Sequence, residues 1–303
     1  MCNNNPDLTT NLEISLIPII EMKKIILTFA VLFFYVFANA QENSLLWKVS
    51  GNGLAKDSYL FGTLHMACGE DFRVPEKVKT ALSATDALAV EVDVTDPKNA
   101  ALLQSKMAPK PTFFNNLSAE KKKAIDSALI ANEIPPAIFD QVSPTVAISL
   151  LAIKGFDCPS MQDIKMMEHE LKNLPEAKDK PVAELESATF QIDLLDSLFS
   201  AEDLYSYLTS STDTKAVTKN LVEAYFSENL QEIEKITMNT AFLSGPKQEK
   251  LLDIRNKAWI QKMPSMMNEK SYVFAVGAAH LIGKQGVIQL LKDKGYTVTA
   301  ISK

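Results

Sequence analysis

The sequence predicts an α/β (or α+β) domain, with a central mixed sheet formed by N- and C-terminal strands and a large helical insertion between about 115 and 265. Three observations predict it. Short apolar runs of strand type sit near both ends of the chain, SLLWKVS (44–50), YLFGT (59–63) and LAVEVDV (88–94) early, SYVFAV (271–276) and YTVTAI (296–301) late. The stretch between them has mostly helical patterning. The chain closes strand–helix–strand, the order that suits parallel pairing.

In chain order, the first two runs flank Gly51-Asn52-Gly53, a turn signal that makes them a β-hairpin. Pro75 opens a helix, PEKVKTALSATD, in which Val78, Ala81 and Leu82 recur at helical spacing. LAVEVDV reads as a buried strand interrupted by Glu91 and Asp93. Ser118 caps LSAEKKKAIDSALIANE, which Pro135-Pro136 breaks. PTVAISLLAI (144–153) is apolar all round, as a buried helix would be. Met161 to Asn173 reads as another helix, Pro181 to Leu185 as a strand, and Ser187 to Ile260 as nearly continuous helix. Gly286 to Lys294 is a helix with Gly295 at its C-terminal cap.

Composition narrows the function. The 303 residues are 47% apolar, 22% charged and 8% aromatic, ordinary globular proportions. A net charge of −6 gives no footprint for nucleic acid, and of the 31 basic residues only Arg73 and Arg255 are arginines. Residues 22–40, MKKIILTFAVLFFYVFANA, have the layout of a signal peptide. Two lysines precede an apolar run too short to span a membrane, and Ala38-Asn39-Ala40 makes a cleavage signature before Gln41. The expectation is therefore an exported protein, periplasmic or extracellular, with residues 1–21 an extended gene start, Met22 the true one, and no transmembrane span in the mature chain 41–303. Cys68 and Cys158 are the cysteines that remain. In an oxidising compartment an even pair suggests a disulfide.

Two of the three histidines occupy matching contexts. SYLFGTLH (58–65) and SYVFAVGAAH (271–280) both run from Ser-Tyr through an apolar strand into Gly-x-x-His. Ligand sites in open α/β sheets form at the carboxyl ends of strands. On neighbouring strands, two such turns would bring His65 and His280 together, and imidazole is a common transition-metal ligand. Glu91, a carboxylate in an apolar strand, is the best third ligand. Two His and one carboxylate is a hydrolytic metal set. The competing structural reading makes each histidine a satisfied core residue and lets Glu91 pair with a lysine. His169, between Glu168 and Glu170, reads as a solvated helix-face residue.

The same segments resemble the TraB/GumN family, related to the Tiki proteins, a group regarded as metal-dependent peptidases. The resemblance covers residues 44–303. It rests on LLWKVSGNG, YLFGTLHM, LAVEVD, VAELESATFQIDLL, Arg255-Asn256 and VGAAHLIGKQGVIQLLKDKGYTV. It implies a divalent metal, commonly Mn²⁺ or Co²⁺ where ligand chemistry alone would equally suggest Zn²⁺, held by His65, His280 and Glu91. It further implies roles for Arg255, Asn256 and Glu186, with Glu184 as a neighbour. Glu91 would be a ligand or the general base. Arg255 would stabilise an oxyanion or hold a substrate carboxylate. The expected function is a secreted metal-dependent hydrolase, a peptidase acting on a peptide or protein. The alternatives are a non-catalytic peptide-binding or signal-sequestering protein on the same scaffold, or an esterase-type hydrolase. Cys68 and Cys158 lie outside the family pattern.

Overall fold

Gly51, Asn52 and Gly53 all adopt positive φ, at 77°, 50° and 83°. Two glycines and an asparagine tolerate that left-handed region. They reverse the chain between β1 (Leu46–Ser50) and β2 (Ser58–Thr63), which pair antiparallel with Leu46 opposite Phe61. This is the hairpin that the sequence suggests. The computed structural model describes residues 43–106, 116–139, 142–238 and 245–302. The expected signal segment, 22–40, and the extension before it lie outside the described residues.

The remaining strands follow from short apolar runs: β3 (Met66–Cys68), β4 (Ala87–Val90), β5 (Ile164–Met166), β6 (Val182–Glu184), β7 (Tyr272–Gly277) and β8 (Thr297–Ala300). Six of them form one mixed sheet in the order β6-β4-β7-β2-β1-β8. The first four in that order run parallel, and β1 joins antiparallel to both β2 and β8. Strands from both ends of the chain therefore meet in one sheet, as expected. The closing strand–helix–strand differs in detail, because β8 does not lie beside β7. It crosses to the edge and pairs antiparallel with β1.

All residues of β4 and β7 are buried, which is why they read as continuous apolar runs rather than alternating ones. Leu60, Phe61, Leu88, Val273, Phe274 and Trp259 are at the centre of the main core. The insertion adds a second cluster around Ile125, Leu129, Ile148, Leu151 and Leu204. The helix Pro144–Gly155 contributes to that cluster through one face only, with Ser149 and Ala152 exposed, so it is less enclosed than its composition suggests. Its cap is Ser143, whose hydroxyl accepts from Val146 N–H, and Ser118 caps Ala119–Ala131 by accepting from Lys121 N–H.

Two local readings are corrected. LAVEVDV is strand only through Val90, so Glu91 stands just beyond its end. Met161–Asn173 is not one helix. A 3₁₀ turn (Met161–Asp163) leads into β5, and the helix begins at Met167. Pairing with β3 outweighs the helical pattern, with Cys68 opposite Ile164 and Met66 opposite Met166. Cys68 and Cys158 are disulfide-bonded across a sequence separation of 90 residues, fastening β3 to the insertion.

Closing so long a loop restricts the unfolded chain. The double variant Cys68→Ser/Cys158→Ser is expected to lose about 2–4 kcal/mol of unfolding free energy, measured by urea titration under non-reducing conditions.

Candidate functional site

Four parallel strands end on the same side of the sheet, and each is followed by a polar side chain. His65 follows β2, Glu91 follows β4, Glu186 follows β6, and His280 sits in the 3₁₀ turn Ala278–Leu281 after β7. The register places Gly62 opposite Val276 and Thr63 opposite Gly277, so the two Gly-x-x-His turns are adjacent. Their glycines make room for each other. A Cβ on Gly62 would lie 2.8 Å from Leu281 Cδ1 and 3.1 Å from the Ala278 Cα. A Cβ on Gly277 would lie 3.2 Å from His65 Nε2 and 3.4 Å from Glu91 Oε1. Histidine 65, Glu91 and the backbone of Gly277 thus share one small space, and Gly277 N–H donates to Glu91 Oε1 at 2.7 Å.

His280 is buried against Trp259, their ring centroids 4.4 Å apart. Its Nδ1 lies 2.6 Å from Asn256 Oδ1. The Asn256 amide nitrogen already donates to the carbonyls of His280 and Gln285, so the oxygen must face the ring and Nδ1 must carry the proton. That leaves the Nε2 lone pair pointing inward, 3.7 Å from Glu91 Oε1. Burial lowers the His280 imidazole to about 3, so it is neutral at physiological pH.

Arg255 ties the acids together. A π-helical turn, Glu249–Asp253, precedes it, and π turns are frequent at functional sites. Its Nε donates to Glu186, its Nη2 to Glu91 Oε2 at 2.5 Å and Glu186 Oε1 at 2.6 Å, and its Nη1 to Leu251 O and His280 Nε2 at 3.1 Å. All five guanidinium N–H groups are therefore directed at protein partners. Gln191 bridges Glu91 and Glu186, and Trp259 Nε1 donates to Glu186. Burial raises the Glu91 carboxyl, but the surrounding positive charge and the Gly277 N–H outweigh it and take the group down to about 2. In the acid range where Glu91 titrates, that charge comes from His280, by then protonated, and from His65 and Arg255.

His65 differs from His280 in being half-exposed, at 56% of its side chain. Its Nδ1 pairs with Glu168 Oε1 at 2.9 Å, and the Glu168 charge raises the imidazole above its ordinary value against a desolvation cost. Of the site residues suggested by the sequence, His65, His280, Glu91, Arg255, Asn256 and Glu186 come together. Glu184 does not join them, because its Oε1 accepts from Asp93 N–H and Asn99 on an exposed surface. His169 is half-exposed and contacts Asn173. The sequence reading missed Glu168, Gln191 and Trp259. Gln191 lies within a quoted segment, whereas Glu168 was obscured by the undetected switch from strand to helix.

The donor set suits a divalent cation in kind. Two imidazole Nε2 atoms face one carboxylate, and each ring is held at Nδ1 by an outer partner. Among the described residues no three His, Cys, Asp or Glu side chains are grouped closely enough to hold an ion, and the Arg255 guanidinium lies against His280 Nε2.

The model of the TraB/PrgY/gumN family matches residues 45–300. The chain belongs to that family. It is 25% identical to "Metalloprotease TIKI homolog" of Amphimedon queenslandica over 87% of this chain and 62% of the relative, and 20% identical to "Metalloprotease TIKI2" of Danio rerio over 84% and 60%. It is 26% identical to YbaP of Shigella flexneri, an uncharacterised protein, over 78% of this chain and 88% of the relative. The chain thus spans about three-fifths of the length of the Tiki relatives it matches. The Tiki relatives are named metalloproteases. No solved structure matches the chain.

The charge cluster makes a testable claim about stability. The Glu91 carboxyl sits at about 2, below its ordinary 4.5, so its contribution is present above 4.5 and lost as pH falls toward 2. Arg255→Met leaves two buried carboxylates without their cation. Urea midpoints are expected to show a loss of about 3–5 kcal/mol at pH 7 that shrinks in acid as Glu91 protonates.

Proposed function

We propose that this protein is an exported metal-dependent hydrolase that cleaves peptide bonds, with the metal held by His65, His280 and Glu91. One observation carries the reading: at the carboxyl ends of parallel strands His65 Nε2 and Glu91 Oε1 border the same space beside Gly277, and His280 Nε2 lies 3.7 Å from that Glu91 oxygen. When bound, a divalent metal would polarise a scissile carbonyl and lower the pKa of a water molecule. The signal-peptide-like sequence of 22–40 and the Cys68–Cys158 disulfide support export. No helix among the described residues is long and apolar enough to cross a membrane.

The chain's own residues have separable tasks. A carboxyl held at about 2 is ionised throughout the physiological range and accepts a proton poorly, which favours Glu91 as ligand over Glu91 as general base. Asn256 fixes the His280 tautomer. Four of its N–H groups are directed at Glu91, Glu186 and Leu251, so Arg255 serves to hold the two acids in place rather than to bind an oxyanion, and a metal on His280 would take the Nε2 lone pair that the fifth N–H meets. The Trp259 ring walls off His280 from solvent.

Metal analysis of the purified protein, beside peptide-library and ester-panel turnover with and without chelator, tests the proposal. Expected are stoichiometric divalent metal and chelator-sensitive peptide cleavage. His65→Ala and His280→Ala should each lose at least the roughly 100-fold that even outer partners can cost. A metal-free, inactive protein that still binds peptides would instead establish a binding module, and turnover confined to the ester panel would establish an esterase.

A further inference from the structure

The two histidines are held unequally. His280 is buried, packed on Trp259 and bonded to Asn256, so its direction is fixed from several sides. His65 lies in the short connection between β2 and β3, with more than half of its side chain exposed. Left to itself, such a ring would sample several rotamers and both tautomers. The residue that meets it is Glu168. The Glu168 side chain is only 14% exposed, and its Oε1 takes a hydrogen bond from the Thr63 hydroxyl at 2.7 Å and contacts His65 Nδ1 at 2.9 Å.

The backbone prepares this meeting. Met66 pairs with Met166 across the β3–β5 ladder, and Met167 N–H donates to the His65 carbonyl at 3.1 Å. Glu168 therefore stands in the first turn of a helix whose start is bonded to His65 itself. The disulfide fastens the other end of the same ladder, because Cys68 pairs with Ile164 and is bridged to Cys158. A carboxylate accepts and never donates when ionised, so the imidazole proton facing it must sit on Nδ1. In the neutral ring this directs the Nε2 lone pair toward Gly277 and Glu91. Asn256 imposes the same tautomer on His280 with an amide oxygen. The two Gly-x-x-His turns thus have matching anchors of different chemistry.

We propose that Glu168 is the positioning residue for His65, holding the ring as its Nδ1–H tautomer with Nε2 aimed at Glu91, as Asn256 does for His280. The proposal rests on the metal-site reading above only for its consequence. Outer partners of this kind govern ligand orientation and basicity.

The test compares the full-length exported protein with Glu168→Ala, Glu168→Gln and, as a control on the exposed face of the same helix, His169→Ala. Circular dichroism and an intact disulfide establish that each is folded. ¹⁵N-resolved imidazole spectra of metal-free protein, recorded alkaline of the His65 titration, are expected to show an Nδ1–H tautomer in the wild type. In Glu168→Ala the Nε2–H form should dominate. Glu168→Gln, which retains an accepting oxygen, should remain close to wild type. Competition between the protein and a chelator for Co²⁺ should show about 10–100-fold weaker binding in Glu168→Ala, partial recovery in Glu168→Gln and no change in His169→Ala. An unchanged His65 tautomer in Glu168→Ala overturns the proposal, as does wild-type Co²⁺ affinity in that variant. If the wild type itself binds no Co²⁺, Zn²⁺ or Mn²⁺, the metal-site reading fails, and the tautomer spectra still decide the role of Glu168.

Discussion

The arrangement depends on one steric fact: two adjacent parallel strands each end in a glycine where the other strand's turn needs the space. Gly62 accommodates the Ala278–Leu281 turn, and Gly277 accommodates the His65 ring and the Glu91 carboxylate. Neither position has a positive φ. These glycines are therefore not there for backbone freedom. They let side chains from two strands approach across a spacing set by the parallel ladder, which pairs Thr63 with Gly277. Sheet register and site geometry are one constraint, since a one-residue slip would turn these side chains toward the opposite face.

The charge cluster follows from that approach. Strand ends that converge bring Glu91 and Glu186 near each other, and backbone pairing reinforces this because Glu186 N–H donates to the Glu91 carbonyl at 3.1 Å. Two buried carboxylates repel unless neutralised and hydrogen-bonded. Arg255 meets this need with its planar fork, Gln191 with an amide and Trp259 with an indole N–H. A lysine would offer one compact charge where the site uses donors in several directions. The π turn before Arg255 places the Leu251 carbonyl where it accepts one of them.

Much of this was legible in the sequence. The repeated Gly-x-x-His endings of apolar strands named His65 and His280, and an acid in an apolar run named Glu91. Arg255, Asn256 and Glu186 were legible only through the family resemblance, because a helical Arg-Asn pair has no local signature of its site. The Gly-Asn-Gly turn and the buried strands β4 and β7 were plain, since turn chemistry and unbroken apolar runs are local signals. The β5 strand was not. Its three residues, Ile164 to Met166, carry no local preference strong enough to reveal pairing with β3, a contact about 100 residues away in sequence. Missing that strand hid Glu168, because a residue in the middle of what reads as one helix is in fact at the start of a helix docked on His65.

That contrast bears on how the site is built. The deeper histidine, His280, has an anchor close in sequence, 24 residues away at Asn256, in the same rigid core as Trp259. The exposed one, His65, is anchored by a partner 103 residues away, on the insertion. An exposed ion pair is weak when its partners are free to separate. The His65–Glu168 pair is not free in this way, since a strand ladder, a backbone bond from Met167 and a disulfide all restrain the segments that carry it. The covalent link and the small second sheet thus give an open histidine the fixed direction that burial gives its counterpart. The site can then keep one side accessible without loosening the side chain that stands there.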